Sequence, residues 1–184
     1  MPRAAHRRNG TVVEIDSLPE IQVGEEMENV IKKAAEKALQ LTLQEESSQD
    51  CEVSIFLTDD AEIHRLNKLY RDVDRPTDVL AFAMREGVDG ELNREVLGDV
   101  VISVPMAELQ ASIYGHTLEV EMSLLVSHGV LHLLGYEHEE EDDRLMMQQK
   151  QKEILRSLGY DLTESGKYAE EPARMEKRQV IRAH

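Results

Sequence analysis

Three histidines in the second half of the chain have the spacing of ligands to a single metal ion. They lie in the segment His128-Gly-Val-Leu-His-Leu-Leu-Gly-Tyr-Glu-His138. His128 and His132 are four residues apart, so on a helix they share one face and lie one turn apart. Gly135 follows, and a glycine after a helical run commonly ends the helix and turns the chain back, which brings His138 over the pair. Because three neutral imidazoles leave a coordination position open for water, the sequence predicts a catalytic Zn²⁺, one per chain, held by His128, His132 and His138.

The residue after His128 distinguishes this motif from that of the zinc proteases. The spacing equals the long zinc motif of the metzincin proteases, in which a glutamate at that position is the general base. Gly129 occupies the position here. A purely structural histidine cluster is the alternative, but three buried imidazoles need three compensating partners, and one metal ion supplies them all. The sequence therefore predicts the metal cage of a zinc protease without the protease's base.

A second group of polar residues is basic and lies around residue 71. The guanidinium of Arg71 has the bidentate geometry that suits a phosphate, and Lys68 and Arg75 lie close to it in the sequence. Pro76 disfavours a helical conformation at Arg75, so the chain should leave a helix here and enter a loop. We predict that Arg71, Lys68 and Arg75 bind a substrate phosphate; an ordinary solvated helix end is the alternative.

The composition indicates one soluble domain with tails. The chain has 184 residues and one cysteine, Cys51, so no intramolecular disulfide can form, which together with the lack of a secretory signal predicts a cytoplasmic protein. No run of about 18 apolar residues is present, and no membrane partner is expected. We predict a basic N-terminal arm at residues 1–10, a single catalytic domain at 11–160 and a flexible C-terminal tail at 161–184.

The charge distribution bears on nucleic-acid binding. The net charge is −16, which argues against sequence-independent adhesion to nucleic acid, and no DNA partner is expected. Both ends are more basic than the body: residues 1–10 hold three arginines and no acid, and residues 167–184 hold five basic residues against three glutamates. Any RNA contact must therefore come from a local basic patch.

Hydrophobic periodicity predicts an α+β domain in the order β-α-β-α-β-β-α-α-α. Its small mixed four-stranded sheet should pack against about five helices. The helix that carries the histidines is apolar on nearly all sides, so the zinc-protease-like site should lie on a central, buried helix. The predicted strands are 11–15, 51–57, 79–84 and 97–104, and the predicted helices are 24–44, 59–70, 105–114, 117–134 and 139–159.

Four blocks of this sequence resemble the YbeY endoribonucleases, which are rRNA maturation factors. The blocks are Leu66-Asn-Lys-Leu-Tyr-Arg71, Pro76-Thr-Asp-Val-Leu80, Leu97-Gly-Asp-Val-Val-Ile102 and His128 to His138. The resemblance implies zinc on the three histidines, an essential arginine at Arg71, and cleavage of single-stranded RNA in rRNA processing and ribosome maturation, with rRNA and ribosomal subunits as partners. Glu137 departs from the aspartate that is usual in the family.

The predicted reaction is hydrolysis of an RNA phosphodiester by a metal ion bound to the three histidines, with Arg71 neutralising the phosphate. His116, just before the metal-binding helix, is the candidate general acid or base, or else a surface histidine at a helix cap. Asp78 and Asp99 are candidates for orienting the ligand histidines. Two other classes stay open: a zinc metallopeptidase, and a non-catalytic ribosome-assembly factor that zinc merely stabilises, although a structural zinc normally has four protein ligands.

Overall fold

The computed structural model describes residues 11–43, 51–84, 95–138, 140–160 and 180–182. All nine predicted elements are present in the predicted order. The basic arm predicted at residues 1–10 lies outside the described residues. The elements are β1 (Val12–Ser17), α1 (Glu25–Thr42), β2 (Glu52–Thr58), α2 (Asp60–Arg71), β3 (Val79–Ala83), β4 (Val96–Ser103), α3 (Val104–Tyr114), α4 (Leu118–Leu133), α5 (Glu141–Ser157) and β5 (Val180–Arg182).

The sheet is mixed, as predicted, and its strand order is β1-β2-β4-β3-β5. Strands β1, β2 and β4 are parallel, and β3 is antiparallel to β4. The sheet has five strands where the sequence predicted four, because Val180–Arg182 pairs parallel with β3. Without this segment β3 would be an edge strand with unpaired backbone groups, which is a template for a further strand. Three residues in a charged stretch of sequence are too few to show a strand periodicity, so the sequence did not predict β5.

The two faces of the sheet are covered by different helices. The larger core lies between one face and helices α1 and α4, with Met147 and Ile154 of α5 packed behind. A smaller cluster, formed by Ile63, Leu80 and Val101, lies on the opposite face beneath α2. Because side chains alternate along a strand, neighbouring residues of β3 and β4 belong to different clusters. Helices α2 and α4 therefore lie on opposite sides of the sheet.

Helix α4 is the innermost helix, as its apolar sequence predicted. Every residue from Glu121 to Leu133 is buried. Gly129 lets the helix pack closely on β4, since a Cβ atom there would lie 2.5 Å from Cγ1 of Val100. Even so, among the helices that the structure describes, none combines the length and the apolarity of a membrane span.

Candidate metal centre

The three predicted ligand histidines converge at the C-terminal end of α4. One ring nitrogen from each of His128, His132 and His138 lies within 4.8 Å of the other two. All three side chains are buried. The ring centroid of His132 lies 4.5 Å from that of His128 and 5.0 Å from that of His138. The helical spacing and the turn have thus placed the three imidazoles around one point.

The turn after α4 both ends the helix and orients the ring of His132. Gly135 has a φ of +90°, which an L side chain rarely adopts, and the amide of Tyr136 donates back to the carbonyl of Leu131. The carbonyl oxygen of Tyr136 then lies 2.8 Å from Nδ1 of His132. A carbonyl only accepts, so Nδ1 carries the proton and Nε2 of a neutral His132 presents its lone pair.

The donor set fits a zinc ion. The Nε2 atoms of His128 and His132 lie 3.0 Å apart. Two imidazole nitrogens that bind zinc tetrahedrally at about 2.0–2.1 Å would be separated by about 3.3 Å, so a small change would accommodate the ion. Three imidazoles also favour zinc over magnesium or calcium, which prefer oxygen ligands. These three residues could hold a metal and leave a fourth position for another ligand.

Arg71 lies at the C-terminal end of α2 and is held by an asparagine one turn earlier. Its Nη1 donates to Oδ1 of Asn67 over 3.1 Å, and Nδ2 of the same Asn67 donates to the carbonyl of Arg75 over 2.8 Å. Asn67 is 1% exposed. Burial lowers the pKa of Arg71, and the charge of Arg75 lowers it further, but a guanidinium stays charged in a protein. Asn67 thus joins the arginine to the loop that follows α2.

The other two predicted phosphate ligands are more exposed. Nζ of Lys68 forms a 2.7 Å ion pair with Asp74, and His64 binds the second oxygen of that carboxylate. This pairing raises the pKa of Lys68 and lowers the pKa of Asp74. The side chain of Arg75 is exposed. The ion pair with Asp74 offsets the charge of Lys68, so Arg71 and Arg75 are the stronger candidates for an anion.

The C-terminal ends of α2, which carries Arg71, and α4, which carries His128 and His132, approach the same end of the sheet from its two faces. The ring of Tyr70 lies edge-on to Phe82 of β3, with centroids 5.3 Å apart. On the other face, Cδ2 of Leu133 lies 3.1 Å from the position of a Cβ on Gly98, and Gly98 is paired with the end of β3. The ends of α2 and α4 therefore lie on either side of the end of β3.

His116 is paired with a buried carboxylate. Its Nε2 lies 3.1 Å from Glu121, and the two side chains are 5% and 0% exposed. Nδ1 lies 3.1 Å from the carbonyl of Thr117. Glu121 precedes His128 by seven residues, which is about 10.5 Å along a helix axis, so any proton exchange with the metal centre would have to pass through water. This geometry favours a pair that fixes the start of α4, and the general acid or base role of His116 stays a prediction.

Asp99 and Asp78, which the sequence predicted as partners of the ligand histidines, contact other residues in the structure. Asp99 is paired with Phe82 and Ser54 and lies on the α2 face of the sheet, opposite α4. Burial raises the pKa of its carboxyl group. Asp78 accepts hydrogen bonds from the amide of Val79 and from Gln110 of α3, so it joins the start of β3 to α3. Because Asp99 lies on the face of the sheet opposite α4, the prediction that it orients the ligand histidines is wrong.

Sequence reasoning missed two residues of this region. Asn67 was not singled out, although its position four residues before Arg71 puts both on one helix face. Glu121 lies in the first turn of α4, where an acidic side chain is favourable, so its sequence position alone does not mark it as part of a site. In the structure the side chain of Glu121 is fully buried and contacts His116, so it also holds that histidine in place. The sequence signal that could have identified Glu121 is its position seven residues, or about two helical turns, before His128, which puts both side chains on the same face of the helix.

The chain is similar to known proteins over most of its length. A family model described as Endoribonuclease YbeY matches residues 19–159. The Endoribonuclease YbeY of Pelotomaculum thermopropionicum is 46% identical over 140 residues, covering 75% of this chain and 90% of that protein. The Desulfitobacterium hafniense protein of the same name is 44% identical over 151 residues, covering 79% of this chain and 94% of that protein.

A solved structure has the same fold. The solution structure of TM1509 from Thermotoga maritima matches with a TM-score of 0.52 at 25% sequence identity, covering 84% of this chain and 95% of that one. The family match extends over most of the folded part, and neither the metallopeptidase nor the non-catalytic alternative gains support from it. The chain therefore belongs to the YbeY endoribonuclease family, which confirms the prediction of a nuclease.

Proposed function

We propose that this protein is an endoribonuclease that hydrolyses phosphodiester bonds of single-stranded RNA with a zinc ion held by His128, His132 and His138. The observation that carries the proposal is the convergence of three buried imidazoles in a set that leaves one coordination position open. Glycine at position 129 removes the protease's base, so the site has the metal cage of a hydrolase without the acid–base machinery of a peptidase.

In this proposal the basic cluster binds the substrate phosphate. When bound, a zinc ion supplies Lewis-acid chemistry, since it polarises a phosphoryl oxygen and lowers the pKa of water. Arg71 holds the scissile phosphate and neutralises charge that develops in the transition state. Its guanidinium is already oriented by Asn67, which reduces the entropy lost on binding. Lys68 and Arg75 bind neighbouring phosphates of the strand.

We retain His116 as the predicted general acid or base. The support is its contact with Glu121, a carboxylate that can orient an imidazole. Because Glu121 lies about two helical turns before His128, a water must carry the proton between His116 and the metal centre. In a His116→Gln variant, we expect the pH–rate profile of RNA cleavage to lose one limb. If the variant keeps the profile and loses only thermal stability, the pair is structural.

The biological setting follows from the family and the charge. We propose that residues 11–160 form the catalytic domain and that the protein acts in the cytoplasm on rRNA and ribosomal subunits during rRNA processing. The family model covers 19–159, which supports the domain boundary. A net charge of −16 disfavours indiscriminate binding to nucleic acid and suits an enzyme that finds its RNA in a particular particle.

The test is a pair of cleavage assays on one preparation. We expect the zinc-loaded protein to cleave single-stranded RNA, to spare duplex RNA and casein, and to lose activity in a chelator and recover it with zinc. Degradation of casein with RNA left intact would instead show that the metzincin-like spacing marks a peptidase.

A further inference from the structure

An exposed tyrosine directly precedes Arg71 at the end of α2. Tyr70 is 55% exposed, whereas every other phenylalanine or tyrosine that the structure describes is half-buried. Ile63 and Asn67 are the buried residues of this helix, and Tyr70 follows them by seven and three residues, which puts it on the same, sheet-facing side. An aromatic ring on the inner side of a helix is therefore left open to solvent where the helix ends.

The ring of Tyr70 is held in place by Phe82 of β3. The two ring centroids lie 5.3 Å apart, and the ring planes are inclined by 83°. Phe82 in turn packs against the small cluster of Ile63, Leu80 and Val101, so the contact joins Tyr70 to the body of the protein. In such an edge-on contact, the partner ring covers at most one face of the tyrosine. Phe82 therefore fixes the ring and leaves its other face uncovered.

The residue that follows this ring is the predicted phosphate ligand. Arg71 is held at the helix end by Asn67, and consecutive Cα atoms are only about 3.8 Å apart. Proteins commonly bind single-stranded nucleic acid with this combination, in which an aromatic ring stacks on a base and a cation contacts the backbone. Tyr70 and Arg71 together match the two chemically different parts of one nucleotide, a flat base and an anionic phosphate.

We propose that Tyr70 stacks on a base of single-stranded RNA next to the phosphate that Arg71 binds. The proposal rests on the proposed function, because it assumes an RNA substrate and Arg71 as its phosphate ligand. Every base has a flat π face, so the contact accepts any base. The bases of a duplex already stack on their neighbours, so the same contact disfavours duplex RNA and gives a physical reason for single-strand specificity.

The test compares two oligonucleotides that have the same backbone charge. One is a 2′-O-methyl phosphorothioate oligouridylate of about 12 nucleotides, a length that such sites commonly contact. The other has the same backbone without bases. Each carries a fluorescent label and is titrated with zinc-loaded full-length protein, and the Kd of the abasic strand divided by the Kd of oligouridylate measures what the bases contribute. In Tyr70→Ala, we expect this Kd ratio to fall about 5- to 100-fold. The slope of log Kd against log salt should stay the same, because no phosphate contact is lost.

Three further variants separate a stacked ring from other roles. Tyr70→Phe keeps the ring, so the Kd ratio should change less than about twofold. Tyr70→Leu keeps an apolar side chain but has no flat ring, so the ratio should fall nearly as far as in Tyr70→Ala. Arg71→Gln should have the opposite pattern. Both oligonucleotides should bind more weakly by the same factor, the slope should fall by about 0.7, and the Kd ratio should stay the same.

A fluorescence measurement reports on the stacking directly, because the chain contains no tryptophan. In Tyr70→Trp, unlabelled oligouridylate should quench the indole fluorescence, and the abasic strand should leave it unchanged. The matched control is Leu109→Trp on α3, where the native side chain is also 55% exposed. Because α3 follows Ser103, at the other end of β4 from Gly98, the fluorescence of this variant should respond to neither oligonucleotide.

The outcomes distinguish this proposal from the proposed function. If Tyr70→Ala leaves the Kd ratio unchanged, or if Tyr70→Leu keeps the ratio of the wild type, then the stacking role is overturned even though the protein cleaves RNA. If the bases strengthen binding to the wild type and not to Tyr70→Ala, but no RNA is cleaved, then the proposed function fails while the stacking site stands.

Discussion

The metal centre and the basic cluster differ in how the protein holds their side chains. The histidines lie in or just after a helix that is buried on all sides from Glu121 to Leu133. Arg71 lies at the end of a helix with one buried face, and Lys68 and Arg75 are exposed. Packing holds the histidines in place. Hydrogen bonds through Asn67 hold Arg71 and the backbone at Arg75, and an ion pair with Asp74 holds Lys68.

This difference suits two different tasks, holding a metal ion and binding a substrate. A metal site needs ligands that stay in place, since a displacement of a few tenths of an ångström changes coordination. A substrate site must admit a strand and release it, and loops and helix ends suit that purpose. Substitutions in the basic cluster should therefore change RNA cleavage without changing metal content, whereas substitutions in α4 should change metal content or stability first.

The largest effect within the basic cluster is expected for Arg71→Lys. Lysine keeps the charge but loses the bidentate fork, and a hydrogen bond to a charged group contributes about 1.5–3 kcal/mol. We expect kcat/KM for RNA to fall about 100-fold while the zinc content stays the same. The matched control is Arg65→Lys, an exposed arginine of the same helix that is paired with Glu62. Equal activity of the two variants would reduce Arg71 to an ordinary surface charge.

Gly129→Ala tests whether α4, which carries the histidines, is packed tightly against β4. The added Cβ would lie 2.5 Å from Cγ1 of Val100, so we expect the free energy of unfolding to fall by about 1–3 kcal/mol. Val100→Ala removes the two methyl groups that the new Cβ would meet. In a Val100→Ala protein, Gly129→Ala should therefore change the free energy of unfolding very little. Denaturant unfolding of the four proteins measures the coupling; strict additivity would mean that the close approach has no energetic role.

Asn67→Ala tests whether the hydrogen bonds of Asn67 hold Arg71 in position for RNA. Loss of the amide leaves Arg71 and the carbonyl of Arg75 without this support, and we expect kcat/KM for RNA to fall about 10-fold with metal content retained. If Asn67 acts by positioning Arg71, the substitution should cost much less in an Arg71→Lys background. An equally large loss in both backgrounds would contradict that role.

The smallest effect is expected for Asp99→Asn, on the α2 face of the sheet. Burial raises the pKa of Asp99, while a hydrogen bond with Ser54 opposes the shift. A raised carboxyl pKa means that stability present below the unfolded pKa is lost as the pH rises through the folded pKa. The amide should therefore raise Tm slightly at about pH 7, and the difference should disappear below about pH 4. A Tm difference that is independent of pH would exclude this cause.

The sequence predicted the convergence of the three histidines better than the rest of the candidate site, for physical reasons. Histidine spacing along one helix and a glycine at the turn determine a local geometry, and both were visible in the sequence. The pairing of His116 with Glu121, the face on which Asp99 lies and the addition of β5 to β3 depend on tertiary contacts. Strand order and irregularities such as the register shift between Glu52 and Val53, where β2 pairs with β4, determine these contacts. Hydrophobic periodicity does not reveal them.

We expect RNA cleavage to require one metal ion bound to His128, His132 and His138. The most direct test of this requirement is elemental analysis and a single-stranded RNA cleavage assay on the same samples of wild type, His128→Ala and His64→Ala. The last variant is the control, since His64 is a histidine of α2 bound to Asp74. We predict one zinc per chain and chelator-sensitive cleavage for the wild type and the control, and loss of both in a folded His128→Ala protein. Full zinc occupancy with undiminished cleavage in His128→Ala would show that His128 is not a ligand of a required metal ion.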